Sequence, residues 1–397
     1  MRYNVPTMQN AFTWVPALIR RELRLLLSRN RDQRGLVHVL FCLADHFEPM
    51  WNNAEANLQR QRVQRWVNGY PKLALAHKDS NGRPPVHTWF YAAEQYNAYH
   101  MEKLSGLCSS GLGEIEVHLH HENDTPEGLK EKLEKAKYDF SRHGALITRE
   151  GQRMFAFIHG DFALNNSGAS PQLCGVNNEL RILRQAGCFA DFTLPSAPHE
   201  TQTRKVNSIY YAKDTRGMRK SHDRGVDVRV GGEKTGDLML IQGPLALNWR
   251  RRKGGILPRI ENGCILNSNP GTPHRVDLWV KQHIHVLGRP DWIFVKVHCH
   301  GAQEDDIYAL LGGGAHRMFQ YLEDRYNDGR QYRLHYVTAR EMYNIVRAAE
   351  DRCKGDPFLY RDYVVLPYLN SGEGNTSEKK TIERSGGAHR DGQLHRI

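Results

Sequence analysis

Short apolar runs that stop abruptly at histidine and acidic residues, each followed by a helix-length amphipathic stretch, recur along the chain. The first run, residues 37–44, is followed at once by Asp45, His46, Phe47, Glu48 and Pro49, and a helical pattern occupies 54–67. Strand patterns at 85–91, 114–119, 153–158, 189–193, 292–297 and 332–337 alternate with helical patterns at 96–107, from Pro126 to Gly144, 177–186, 315–326 and 339–349. Pro126 suits a first helical turn and Gly144 a stop. Strand, polar loop and helix in repetition predict βα units around a parallel sheet. A length of 397 residues accommodates one α/β barrel with insertions.

The polar residues are informative through their position. Four of the apolar runs end in groups that can bind a metal or move a proton: Asp45 to Glu48, His118 to Asp124, His159 to Asp161, and His298 to His300. The carboxyl ends of parallel strands share one rim, so these groups are expected to converge there. Period-two alternation puts His118 with His120, His298 with His300, and His159 with Asp161 on common faces. A single histidine at a strand end is more often structural than a ligand. Recurrence at four strand ends shifts the balance to a metal-centred active site. Imidazole and carboxylate donors suit zinc or another borderline divalent ion, which could activate water and polarise a carbonyl. Such a reaction needs a base, for which Asp45 is the candidate, and an acid, for which His298 is the candidate.

Composition bounds the partners. Apolar residues at 40% and charged residues at 25% exclude a collagen-like or fully disordered chain. The formal charge of +11 permits phosphate or acidic-glycan binding. The densest basic run, Arg250 to Lys253, comes with no zinc finger, helix-turn-helix or RNA-recognition segment, which weighs against nucleic acid. The seven cysteines form no CxxC pair. Cys42, Cys174, Cys188, Cys264 and Cys299 read as small buried hydrophobes, and an odd count favours a reducing compartment. No signal-peptide pattern opens the sequence, and a cytoplasmic protein is expected. Residues 14–28 alternate leucines with arginines as an amphipathic helix that packs on the body, a partner or a membrane surface.

At these residues the sequence resembles the polysaccharide deacetylase family, the metal-dependent carbohydrate esterases with a distorted seven-stranded β/α barrel. The family's first strand ends in two aspartates, a base and a metal ligand; here they correspond to Asp45 and His46. GEIEVHLHHEND matches the second motif through His118, with the further ligand at Glu122, or at His120 or His121 with a changed loop. FIHGDFALNNS occupies the place of the groove-wall motif without its arginine. The resemblance gives orienting roles there to His159 and Asp161, and sugar-facing roles to Asn165 and Asn166. Asp191 corresponds to an aspartate that supports the catalytic apparatus, and His298 to the general acid. His300 is an additional group toward the substrate. Trp51, Trp89, Phe162 and Phe192 are candidates for stacking on sugar rings.

The resemblance spans roughly residues 37–349 and implies removal of an acyl group, most simply acetyl, from an N-acylated sugar, with zinc as the expected metal. The carbohydrate would be soluble, acidic or lipid-linked. Two alternatives stay open: a metal-dependent hydrolase of another amide, ester or glycosidic bond, and a non-catalytic glycan-binding barrel. The expected organisation is a helical extension over 1–35 and a deacetylase-like barrel over 36–350 with an insertion at about 205–287. A carboxy-terminal extension over 351–397, largely disordered from about 370, completes it.

Overall fold

A computed structural model describes residues 11–27 and 35–372. The disorder expected toward the carboxyl terminus falls almost wholly on 373–397, outside the described residues. The described helices are α1 (Ala11–Leu27), α2 (Ala56–Ala74), α3 (Ala98–Ser109), α4 (Pro126–Ser141), α5 (Glu179–Gln185), α6 (Pro273–Lys281), α7 (Ile307–Leu311), α8 (Gly313–Tyr326) and α9 (Ala339–Glu350). The strands are β1 (Val37–Phe47), β2 (His87–Ala92), β3 (Gly113–Leu119), β4 (Phe155–His159), β5 (Cys188–Asp191), β6 (Ile209–Ala212), β7 (Val226–Asp227), β8 (Leu238–Ile241), β9 (Ala246–Lys253), β10 (Leu257–Glu261), β11 (Trp292–Cys299) and β12 (Tyr332–Tyr336).

Local chemistry sets several boundaries. Thr125 accepts a hydrogen bond from Gly128 N at the start of α4, with Pro126 in the first turn, satisfying a donor that the helix itself cannot. Thr338 and Glu341 form a reciprocal capping box at α9,. The helix expected over 54–67 runs on through Ala74 as α2, with Pro71 in its last turn.

Strand β1 organises the sheet. Along one edge it pairs in parallel with β11 from His38 opposite Trp292 to Asp45 opposite Cys299. Its other edge is shared, with β12 along Val37–Phe41 and β2 along Leu43–Phe47. The sheet runs β11-β1-β2-β3-β4-β5-β8-β6-β7, with β12 added beside β1. The pairings from β11 through β8 are parallel, and β6 and β7 extend the far edge antiparallel. Burial on both faces is what a parallel sheet requires, and β1 is buried at every position,.

Residue alternation divides the sheet into two faces. Val39, Phe41, Leu43, Ile115 and Val117 pack with Trp66 of α2, Met101 of α3, Leu129 of α4 and Phe319 of α8. Leu40, Cys42, Ala44, Phe90, Ile158 and Phe294 form an inner cluster with Met342, Ile345 and Val346 of α9. A mixed α/β fold with a helix-flanked central sheet and a barrel-like inner face results.

Two expectations change here. A closed seven-stranded ladder is not formed among the described residues, because β8 and β11 do not pair. The buried Lys296 instead ties β11 to the segment after β5, its Nζ donating to the carbonyls of Phe192 and Leu194 at 2.7 Å each. Residues 263–265 run beside the end of β11, with hydrogen bonds from Ile265 N to His298 O and from His298 N to Gly263 O. The region expected as an insertion, 205–287, also supplies scaffold: β8 lies within it and pairs with β5. The rest of that region forms β6, β7, the β9–β10 hairpin and α6.

Helix α1 docks on the body. Trp14 and Leu18 are buried against Ala197 and Leu245, and the Arg21 guanidinium donates to the carbonyls of Gln282 and His283. Phe12, Ile19 and Leu23 on the same helix are exposed. No helix among the described residues is long and apolar enough to cross a membrane.

Lys296→Met preserves most of the side-chain volume but leaves the buried Phe192 carbonyl without a donor, while Leu194 O keeps its bond from Gly243 N. At about 1–3 kcal/mol for an unsatisfied group, urea unfolding is expected to show a loss of about 1–3 kcal/mol. A second expectation concerns acid. Burial holds the His100 imidazole down, from an ordinary 6.5 to about 4, and lowers His222 and His335 as well. The unfolded chain therefore binds these protons first. Stability is full above about pH 6.5 and falls as pH drops toward 4, by at most about 1.4 kcal/mol per pH unit for each group. His100→Gln is expected to flatten that slope in denaturant titrations run at successive pH values.

Candidate metal centre

Alternation along three strands builds the site on the inner face of the sheet. In β1 the residues facing inward are Leu40, Cys42, Ala44 and then His46, with Glu48 two positions beyond. His118 and His120 emerge from the end of β3, and His298 and His300 from the end of β11. The His46 ring centroid lies 5.1 Å from that of His118, 5.7 Å from His298 and 5.0 Å from His300. The rings of His118 and His120 are 4.6 Å apart. Phe162, from the turn after β4, closes one side at 5.4 Å from His46 and 6.1 Å from His298. Gly160 makes this approach possible, since a Cβ there would collide with the His120 ring.

The hydrogen bonds fix which ring nitrogens are available. His118 Nδ1 lies 2.9 Å from Ile158 O; a carbonyl only accepts, so Nδ1 carries the proton and donates. That leaves a lone pair on His118 Nε2, which faces Glu48 Oε1 at 3.0 Å. His120 repeats the arrangement: Nδ1 meets Glu94 Oε1 at 2.6 Å, and Nε2 lies 3.8 Å from Glu48 Oε1. His46 Nε2 is buried with no hydrogen-bond partner. Ligand atoms of His46, Glu48 and His118 all lie within 4.8 Å of one another. Lone pairs converging on a carboxylate are mutually repulsive until a proton or a cation enters. Imidazoles anchored through Nδ1 to a carbonyl and a carboxylate are also the arrangement that orients histidine ligands. The donor set therefore fits a divalent cation held by His46, Glu48 and His118, with His120 beside them.

The electrostatics agree. Burial lowers His46 well below its ordinary value, and the neighbouring His300, His118 and His298 add to the effect. Burial opposes ionisation of Glu48, but the hydrogen bond and charge of His118, with His120 and His300, hold it down at about 2. His120 loses to burial and gains more from Glu94, with Glu48 and Asp161, and is held up at about 9. His298 and His300 are both lowered, chiefly by burial. The pocket thus sets an ionised Glu48 beside a His120 held protonated, with His46, His298 and His300 held neutral around them.

The structure brings His46, His118, His120, His298 and His300 together; other expected site residues lie elsewhere. Asp45 is next to His46 in sequence and therefore on the opposite face. It is sealed behind α2, accepting from His87 Nε2 at 2.9 Å and from Gly301 N at 2.5 Å. His87 in turn packs on Trp66 with centroids 4.4 Å apart. His159 faces the helix side for the same reason, beside His121 and Glu179. Glu122 is exposed in the turn after β3, outside the ligand group, and Glu48 stands in its place. Asn165 is buried and fully engaged: its amide donates to Asn177 O and Asp214 Oδ1, and its oxygen accepts from Ser221 N. Asn166 is likewise tied to Asn177 and Gly175. Phe192 and Trp89 are core residues, and Trp51 is half-buried in the turn after β1. Asp161 is half-buried and contributes charge at His120. Asp191 is buried, accepts from Thr193 Oγ1 at 2.7 Å, and is pushed up by burial to about 7.

Glu94 is the residue that sequence reasoning missed, and Glu48, although part of the first strand-end group, was given no role of its own. Its position two after His46, the spacing that shares a face, marks it as a ligand. Glu94 had no such signal, because its contact with His120 comes from the turn after β2.

No protein-family model matches the chain, and no curated protein matches it at a significant level. The deacetylase resemblance therefore stands on its motifs. Opposite placements of Asp45 and His118 give a direct expectation. His118→Ala is expected to lose the ion of the His46–Glu48–His118 group with little change in fold. Asp45→Asn is expected to keep the metal and to lose about 1–3 kcal/mol of stability through weakened bonds to His87 and Gly301, read by metal analysis and thermal melts of both variants.

Proposed function

We propose that this chain is a metal-dependent hydrolase that removes an acyl group from the nitrogen of an N-acylated sugar. What supports the metal dependence is the convergence of His46, His118 and His120 nitrogens on Glu48 in a buried pocket. The carbohydrate amide is supported by the order of motifs shared with polysaccharide deacetylases, and zinc by the nitrogen-rich donor set. A divalent ion in this pocket would polarise the acyl oxygen and make a water molecule acidic.

The remaining work belongs to the chain. Asp45 cannot reach the pocket, so the proton of the attacking water must go to the inner face. His298 and His300 stand there as neutral imidazoles, and a neutral imidazole is a base before it is an acid. His300, the more open of the two, takes the proton and, as imidazolium, returns it to the departing amine. His298, buried and ringed by His46 and Phe162, keeps the pocket walls in place and supplies a second basic nitrogen. Glu48, held ionised, anchors the cation and stays out of the proton transfer. The basic balance of the chain favours an acidic or lipid-linked glycan carrier, and the exposed Phe12, Ile19 and Leu23 of α1 favour a peripheral contact with a membrane or partner.

The test is acetate release from N-acetylated oligosaccharides by purified protein, before and after chelation and zinc return. Activity is expected to vanish on chelation and to recover with zinc. His300→Ala is expected to retain its metal and to lose about 10²–10⁴-fold in kcat. Bound metal without acyl release from any N-acylated glycan would reject this substrate class.

A further inference from the structure

A second group of metal-ligand side chains lies on the helix-facing side of β3 and β4. His121 follows His120 in sequence and so turns to the other face, where it meets His159 from the end of β4 and Glu179 from the first turn of α5. Cys174, from the long connection between β4 and α5, completes the group. All four are buried, and their ligand atoms lie within 4.8 Å of one another.

The contacts within the group are incomplete as a hydrogen-bond network. His159 Nδ1 donates to Gly160 O at 2.5 Å, so Nε2 carries a lone pair. That nitrogen is fully buried and has no hydrogen-bond partner; it points at Glu179 Oε1, 3.7 Å away. His121 Nε2 is 3.0 Å from the same oxygen, and Cys174 Sγ is 3.6 Å from Glu179 Oε2. Tetrahedral ligands at about 2.0–2.3 Å from zinc stand about 3.3–3.8 Å from each other. The His159–Glu179 separation lies in that range, the His121–Glu179 separation just below it, and all four ligand atoms fall within 4.8 Å of one another.

The surroundings are those of ligands. His121 Nδ1 faces Asp124 Oδ2 at 3.4 Å, and Asn165 N donates to Glu179 Oε2 at 2.5 Å. Val176 N donates to Cys174 Sγ at 3.4 Å, and the thiol itself is directed at Val176 O and Glu179 Oε2. Gly175 lets this loop lie against Asp124: its φ is +97° and a Cβ would collide with the Asp124 backbone. The loop also holds Asp161, Phe162, Asn165 and Asn166 at positive φ, conformations that persist only where the surroundings over-determine them.

We infer that His121, His159, Cys174 and Glu179 form a second, structural zinc site that ties the β4–α5 connection to the ends of β3 and β4. Four protein ligands in a sealed pocket leave no open position for water or substrate, so the site is closed rather than catalytic. It would hold from behind the loop that carries Phe162 and Asp161 to the inner pocket. The inference does not depend on the hydrolase reading, because the two groups occupy opposite faces and share no ligand.

Zinc content and a cobalt spectrum test it together. The full chain, loaded with zinc and freed of excess, is expected to hold about two ions, His118→Ala about one, and Cys174→Ser about one. Cobalt-loaded wild-type protein is expected to show a near-ultraviolet thiolate-to-cobalt charge-transfer band that His118→Ala keeps and Cys174→Ser loses. Should Cys174→Ser fail to fold, the wild-type and His118→Ala spectra still decide. A cobalt-loaded protein without the thiolate band, or a folded Cys174→Ser with undiminished zinc, overturns the second site. Loss of the inner-pocket ion alone, with the thiolate band intact, counts against the hydrolase reading and supports this one.

Discussion

Everything at the rim of this sheet depends on the two-residue alternation of β1, held in ladders along both edges. Pairing with β11 reaches as far as Asp45, and pairing with β2 as far as Phe47, so the strand cannot twist adjacent side chains onto one face. His46 and Glu48 are delivered to the inner pocket, while Asp45 goes to the layer under α2. The same rule splits His120 from His121 and places His159 behind the sheet. One strand end thereby serves two purposes: Asp45 cements β1 to β2 and the β11 turn through His87 and Gly301, and its neighbour opens into the pocket.

Burial supplies the second constraint. Imidazoles on both faces are too deeply enclosed to be charged without a partner. Each acid among them is correspondingly surrounded by nitrogens, Glu48 by His118 and His120 and Glu179 by His121 and His159. Pairs of this kind are costly when one partner's lone pair faces another's. A proton or a cation between them removes that conflict. The inner group retains a side open to the rim through His300 and His120, and the outer group has none. Openness, rather than ligand type, separates the catalytic reading of one from the structural reading of the other.

Much of the scaffold is legible in the sequence. The βα rhythm anticipates nearly every parallel strand, since runs such as 37–44 and 292–297 are apolar at consecutive positions, as a sheet covered on both sides requires. Histidines at the ends of β1, β3 and β11 likewise mark the pocket. The strand β8 escaped notice because residues 238–241 form a four-residue run amid turn signals. The bond of Lys296 to the segment after β5 could not be anticipated either, as its carbonyl partners lie about a hundred residues away in the chain. Asn165 and Phe192 suggested a sugar groove by their motif position, but their partners lie within the fold.

The sequence by itself determined the fold class, the strand ends that carry the polar chemistry, and the imidazole-rich character of the site. Those follow from local periodicity and residue type, which are written in consecutive positions. Tertiary structure decided which face each rim residue occupies and which carboxylate it meets. Glu48 joined His118, Glu94 fixed His120, Glu179 drew His121 and His159 away, and Asp45 withdrew behind the sheet. Adjacent residues in a strand point in opposite directions, and only the packed sheet says which direction is the pocket.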